Sequence, residues 1–130
     1  MTRREARIAT MQILYSADFN GISLEEARKD VASHILTADV NNFLDMVESN
    51  KERIDDLISK SLENYSLNRL NYVDRAIIRL ATAEMIEKST PKKIIINEAL
   101  EITKEFSDQG DHKAVAFNNR LLDNISKHLL

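Results

Sequence analysis

"NYVDRAIIRLATAEMIE", residues 71–87, is the stretch on which the fold turns. Wound at 100° per residue, Val73, Ala76, Ile77, Ile78, Leu80, Ala81, Ala83 and Met85 cover well over half of the circumference. Only a narrow arc with Arg75, Arg79 and Thr82 is polar. A surface helix carries one apolar stripe, whereas a helix apolar on most sides has neighbours on most sides. The segment is therefore predicted to be a central helix. Glu84 falls on the same stripe as Ile77 and Leu80. An unpaired buried carboxylate is costly, so a basic or hydrogen-bonding partner is expected for it.

Helical signals continue on both sides. Upstream, Thr2-Arg3-Arg4-Glu5 reads as a capping box. It opens a helix that Asn20-Gly21 stops, with Ile8, Met11, Leu14 and Ala17 at helical spacing. Ser23 caps a second helix predicted to reach about Leu36, and Asp39 to Asn42 reads as a break. A long third helix is predicted from about Asn41 to Tyr65. Its stripe is Phe43, Val47, Ile54, Ile58 and Leu62, interrupted around Asn50-Lys51. Asp45, Glu48, Glu52, Asp55 and Asp56 make it acidic, which fits a solvated face. Downstream, Thr90-Pro91 is a start signal, a capping hydroxyl before Pro at the first helical position. The helix that follows lines Ile95, Ala99, Ile102 and Phe106 on one face. Residues 107–112 form a polar loop turning at Gly110, and a last helix turns Leu121, Leu122, Ile125 and Leu129 inward. The reading is all-α, with six or seven helices.

Composition agrees. The 130 residues include 2 Gly and 1 Pro, so no linker divides residues 1–130 and one domain is expected. Turn-bounded runs of β-branched and aromatic residues are missing. No run approaches the ~18 apolar residues of a membrane span. The arginine-bearing start lacks the apolar segment of a signal peptide. With 0 Cys, disulfides and thiolate chemistry are excluded. A cytoplasmic protein is expected. The net charge of −3 rules out coating nucleic acid by bulk charge. Any such contact must come from a local patch, with a partner's help.

Catalytic signatures are missing. Two glycines cannot build a phosphate-binding or dinucleotide-binding loop. His34, His112 and His128 are scattered, with no metal-ligand spacing. No nucleophile elbow occurs. No enzyme, cofactor or metal is expected.

The first helix offers something else. Arg3, Arg4 and Arg7 crowd its start, where the helix dipole prefers acids. Arg4, Arg7, Met11 and Tyr15 fall near one line along ~16 Å of helix. Guanidinium groups fork onto phosphates, and a tyrosine can stack on an unpaired base. Spacing alone leaves two readings open: a nucleic-acid contact, or solubility charge with Tyr15 as a core residue whose hydroxyl reaches water.

Four blocks, in order, resemble the NusB family of bacterial transcription antitermination factors. They are "RREARIATMQILYS", "VDRAIIRLATAEMI", "PKKIIINEALEITKEF" and "FNNRLLDNI". The resemblance implies two small helical bundles sharing one helix, in a non-enzymatic adaptor. It implies pairing with the ribosomal protein NusE, binding of single-stranded boxA RNA, and entry into an RNA polymerase complex that suppresses premature termination, notably in ribosomal RNA operons. It carries RNA contacts onto Arg3, Arg4, Arg7 and Tyr15, and onto Lys113, Phe117 and Asn119 near the chain's end. Asp74 maps to the RNA or NusE face. Monomer and homodimer both remain open.

Two departures stand out. Glu5 replaces an arginine of some members. Arg120 replaces the glycine of the closing motif, where it either blocks close approach or supplies a phosphate contact. The loop before Phe117 is also longer than usual. The competing readings are a protein-binding adaptor without RNA contact, and the accessory domain of an RNA-modifying enzyme.

Overall fold

The computed structural model describes residues 1–129. Among them seven α-helices follow one another: α1 (Arg3–Asn20), α2 (Leu24–Lys29), α3 (Ala38–Ser49), α4 (Lys51–Ser61), α5 (Tyr72–Glu87), α6 (Lys92–Phe106) and α7 (Lys113–His128). A short 3-10 turn, Leu67–Arg69, precedes α5.

The stretch read as central is α5. Asn71 opens it by accepting the Asp74 amide at 2.8 Å. Lys88, left-handed at φ 54°, closes it. From Asp74 to Met85 every residue except Arg79 is buried. Even the expected polar arc is mostly closed over. Thr82 donates its hydroxyl to the Ile78 carbonyl at 2.7 Å, and Arg75 donates to Asp18 at 2.8 Å.

α5 packs against α1, α3, α4, α6 and α7. α1 holds α2 and α3 on one side, while α7 holds α4 and α6 on the other. Two small bundles thus share α5. Their buried apolar side chains merge into one cluster, in which Phe43, Ile54, Ile78, Ile95 and Leu122 are wholly enclosed.

Several boundaries differ from the sequence reading. α2 ends at Lys29 rather than near Leu36. Ala27 alone of its residues is buried, so no apolar face supports a longer helix. The predicted break at Asp39–Asn42 is the first turn of α3, which Thr37 caps by accepting the Val40 amide at 3.3 Å. The long third helix is two helices broken at Asn50. The Asn50 amide donates to the Met46 carbonyl and to Glu87, both at 2.8 Å. Such side-chain bonds compete with helix continuation. Pro91, not Thr90, occupies the cap position of α6. Phe106, expected on the buried face, is exposed.

Candidate nucleic-acid interface

The arginine-bearing start of α1 forms because Thr2 and Glu5 close a reciprocal capping box. The Thr2 hydroxyl accepts the Glu5 amide at 3.1 Å, and the Thr2 amide donates to Glu5 Oε1 at 2.8 Å. The Thr2 amide, then its hydroxyl, hold the Glu5 carboxyl below the usual glutamate value of 4.5. A depressed carboxylate stabilises the fold above its unfolded-state pKa, and loses that contribution as pH falls through the folded value. An NMR titration should therefore find Glu5 below a free glutamate. Thr2→Ala should raise its midpoint partway. A midpoint already at the free value would sink this account.

The three arginines diverge in space. Arg3 Nη1 lies 3.3 Å from Asp39, and its guanidinium sits 4.7 Å from the Phe43 ring centre. Arg4 Nε donates to Glu98 at 2.7 Å, and that hydrogen bond and charge raise its pKa. Both keep about half of their side chains in solvent. Arg7 instead turns inward and is only 4% exposed. Its Nε and Nη2 fork onto Glu84 at 2.9 and 2.8 Å. Burial pulls the Arg7 pKa down, but the Glu84 hydrogen bonds and charge outweigh it, and the net shift is upward. Glu84 thus has its basic partner. A phosphate could reach Arg7 only by breaking that pair, which corrects its reading as a direct RNA contact. Met11, one turn further along α1, is buried as well, whereas Arg4, on the same line one turn earlier, is half exposed.

Tyr15 lies at the other end of α1, in an aromatic trio. It stacks on Phe19 with centroids 5.8 Å apart and meets the edge of Tyr72 at 6.3 Å. Phe19 and Tyr72 are 59% and 39% exposed. The guanidinium of Arg75 covers Tyr72 at 4.5 Å. Sequence reading passed over Phe19 and Tyr72. The i,i+4 pairing of Tyr15 with Phe19 was visible, but Tyr72 joins them only through the packing of α5 on α1.

Asp74 is not on a surface face. It is buried, and its carboxylate accepts from Asn71 at 2.9 Å, Ser107 at 2.6 Å and Asn118 at 3.1 Å. Asn118 also donates to Thr103 at 3.1 Å. Asp74 thereby ties the start of α5 to the end of α6 and to α7, and this role replaces a partner-facing one. Ser107 and Asn118 carry the tie and were missed: Ser107 stands in the polar loop after α6, and Asn118 fills a position of the closing block to which the resemblance gave no role.

Lys113, Phe117, Asn119 and Arg120 are all exposed along the first half of α7. Their helix starts on acids: Asp108 accepts the His112 amide at 3.0 Å, and Asp111 accepts the Lys113 amide at 3.1 Å. The structure does not bring these residues to Arg3 and Arg4. Asp74 marks the α7 end of α5 and Glu84 the arginine end. Those ten residues rise ~15 Å. Tyr15, beside Tyr72, belongs to the Asp74 end. The exposed candidates form two patches joined by the length of α5.

Among the described residues, no group of three or more His, Asp or Glu is arranged to hold a metal ion. None of the helices described is long and apolar enough to cross a membrane.

Comparison with known proteins gives one answer. The NusB family model matches residues 4–127. Transcription antitermination protein NusB of Clostridium botulinum is 38% identical, the match covering 98% of this chain and 99% of that protein. NusB of Bacillus subtilis is 36% identical over 99% and 98%. Among solved structures, NusB of T. maritima superposes with a TM-score of 0.85 at 34% identity, covering 98% of this chain and 92% of that one. A structure of antitermination factors NusB and NusE in complex with dsRNA matches with a TM-score of 0.78 at 27% identity, over 97% and 96%. Family model, whole-length relatives and a shared two-bundle fold agree with the four motif blocks: the chain belongs to the NusB family.

Proposed function

We propose that this protein binds boxA-type single-stranded RNA jointly with NusE and acts in transcription antitermination, notably in ribosomal RNA operons. It is an adaptor and not an enzyme, as its family is. The observation that carries the reading is the match, over 97% of the chain, to a NusB solved with NusE and RNA. The RNA of that complex is double-stranded. A single-stranded target fits this chain because Phe19, Tyr72 and Phe117 expose ring surface. Exposed rings stack on unpaired bases, whose faces are free, without the cost of unstacking a paired duplex.

Arg3 and Arg4 would take phosphates at one end, in competition with Asp39 and Glu98. Tyr15 would offer a ring toward the other end of α1, and Lys113, Phe117, Asn119 and Arg120 would add contacts from α7. Arg7 and Asp74 serve by holding α1 and α7 on α5. An acidic chain making a few phosphate contacts needs a basic partner, a role that suits NusE. The joined complex would then engage RNA polymerase, in the cytoplasm, beside nascent RNA.

A titration of boxA-like against scrambled RNA, with and without NusE, tests this. Affinity for boxA should exceed that for the scrambled RNA when NusE is present. It should fall with salt at a slope of a few units, and Arg3→Ala or Arg4→Ala should each reduce that slope by ~0.7. Equal affinity for both RNAs, or a flat salt response, would overturn the reading.

A further inference from the structure

The corner between α5 and α6 reads Lys88-Ser89-Thr90-Pro91-Lys92-Lys93, with three cations and no acid in a chain whose net charge is −3. All three lysines are exposed. Among the described residues the lysines held in ion pairs are Lys60, Lys104, Lys113 and Lys127, so those of the corner are unpaired. We propose that this corner binds the phosphates of the RNA strand next to the boxA element, as a sequence-neutral extension of the Arg3 and Arg4 patch. The inference rests on the RNA-binding reading above and adds a second stretch of the same strand.

Three observations support it. First, the corner stands at the arginine end of the molecule. α1 and α5 run antiparallel, Tyr15 meeting Tyr72 at one end and Arg7 meeting Glu84 at the other. Lys88 follows Glu84 by about one turn, and Arg3 precedes Arg7 by about one turn, so both lie toward the same end. Glu98, which accepts from Arg4 at 2.7 Å, is six residues along α6 from Lys92, a rise of ~9 Å. That is about three nucleotides at the ~3.4 Å of a stacked strand. Secondly, charge favours one direction for the strand. Beyond Glu98 on α6 stand Glu101 and Glu105, whose charges also reach Arg4. A strand leaving Arg4 along α6 meets those acids, and one leaving toward the start of α6 meets the lysines. Thirdly, the corner is short and its backbone is set. Lys88 is left-handed at φ 54°, and the Ser89 amide donates to the Glu84 carbonyl at 3.3 Å. Pro91, at φ −55°, fixes the entry to α6, and its carbonyl accepts the Ile94 and Ile95 amides at 3.0 and 3.1 Å. The backbone that carries the lysines is thus in place before RNA arrives, which lowers the ordering cost of binding. Residues 88–93 include no aromatic side chain, so the corner grips phosphates and offers no ring to a base. RNA is the anion that this position favours over an acidic protein, because the corner continues a patch assigned to phosphates.

The test uses the full chain with NusE, a boxA-like core RNA, and that core with a short run of uridines added at one end or at the other. One extended RNA should bind about tenfold tighter than the core at low salt, and its affinity should fall with salt more steeply by ~2, at ~0.7 for each lysine. Adenines in place of the added uridines should keep the gain. A Lys88→Asn, Lys92→Gln, Lys93→Gln triple variant should lose the gain and the extra slope while binding the core as the wild type does. Asn suits the left-handed backbone at position 88, and all three side chains are exposed, so the variant should keep the wild-type urea midpoint. Equal affinity for the core and both extended RNAs, or a gain that survives in the triple variant, would overturn the extension while leaving the RNA reading standing. Weaker NusE binding by the triple variant without RNA would show a protein-docking surface, and would also overturn the extension. Absence of RNA binding by the wild type with NusE would overturn both.

Discussion

Glu84→Ala is expected to destabilise the protein by about 3–5 kcal/mol, because it strands a buried arginine. Arg7 and Glu84 are 4% and 1% exposed, and their two hydrogen bonds join α1 to the far end of α5. Removing either charge leaves the other desolvated and unpaired. Removing both is different. In an Arg7→Met, Glu84→Met double variant no charge is stranded, and much of the loss should return, since apolar replacements of buried ion pairs are often neutral. Urea unfolding of the two single variants and the double variant measures this directly. The double variant also separates structure from recognition. If Arg7 acts only by packing, the refolded double variant should keep its RNA affinity. A stable double variant that has lost RNA binding would return Arg7 to the phosphate contacts.

Phe43→Ala should cost about 3–5 kcal/mol, the usual range for emptying a buried phenylalanine site. Phe43 of α3 is fully enclosed, and two guanidinium groups approach its ring: Arg3 at 4.7 Å and Arg7 at 5.3 Å. The ring therefore fills the core and faces two cations. Phe43→Leu keeps most of the apolar volume and removes the ring's attraction for cations. Its smaller cost should include about 0.5–2 kcal/mol for that lost attraction. The two variants, compared by urea unfolding, divide the ring's contribution between packing and charge. If Phe43→Leu were as damaging as Phe43→Ala, shape rather than volume would govern the site. Because Arg3 is also a candidate phosphate contact, Phe43→Leu should loosen RNA binding slightly without abolishing it.

Much of this architecture was legible along the chain. The Thr2–Glu5 capping box, the Gly21 stop and the Ser23 cap all appear where local chemistry demands them. The burial of α5 followed from its periodicity alone. The misread boundaries have a common cause. Thr37 caps α3, but its hydroxyl was hidden beside a polar run read as a break. Asn50 breaks the α3–α4 run through bonds to Met46 and Glu87, and the second lies 37 residues away. Of the candidate site, Arg3, Arg4, Lys113, Phe117, Asn119 and Arg120 are exposed as a binding role requires. Arg7 and Asp74 are not, and their chemical type gave no warning of it.

The sequence by itself determined that this protein is all-helical, that α5 is enclosed by its neighbours, and that Glu84 needs a partner. Those conclusions rest on periodicity, capping and desolvation, each of which acts over a few residues. Tertiary structure alone decided which group that partner is. Arg7 lies 77 positions from Glu84, and no local pattern distinguishes it from Arg3 or Arg4. In the same way it turned Asp74 from a surface acid into the tie between α5, α6 and α7, and set Phe117 beside Tyr65. The physical reason is the same in each case. The spacing of residues along a helix determines which share a face, and only the packing of one helix on another determines whether that face meets water, a charge or a core.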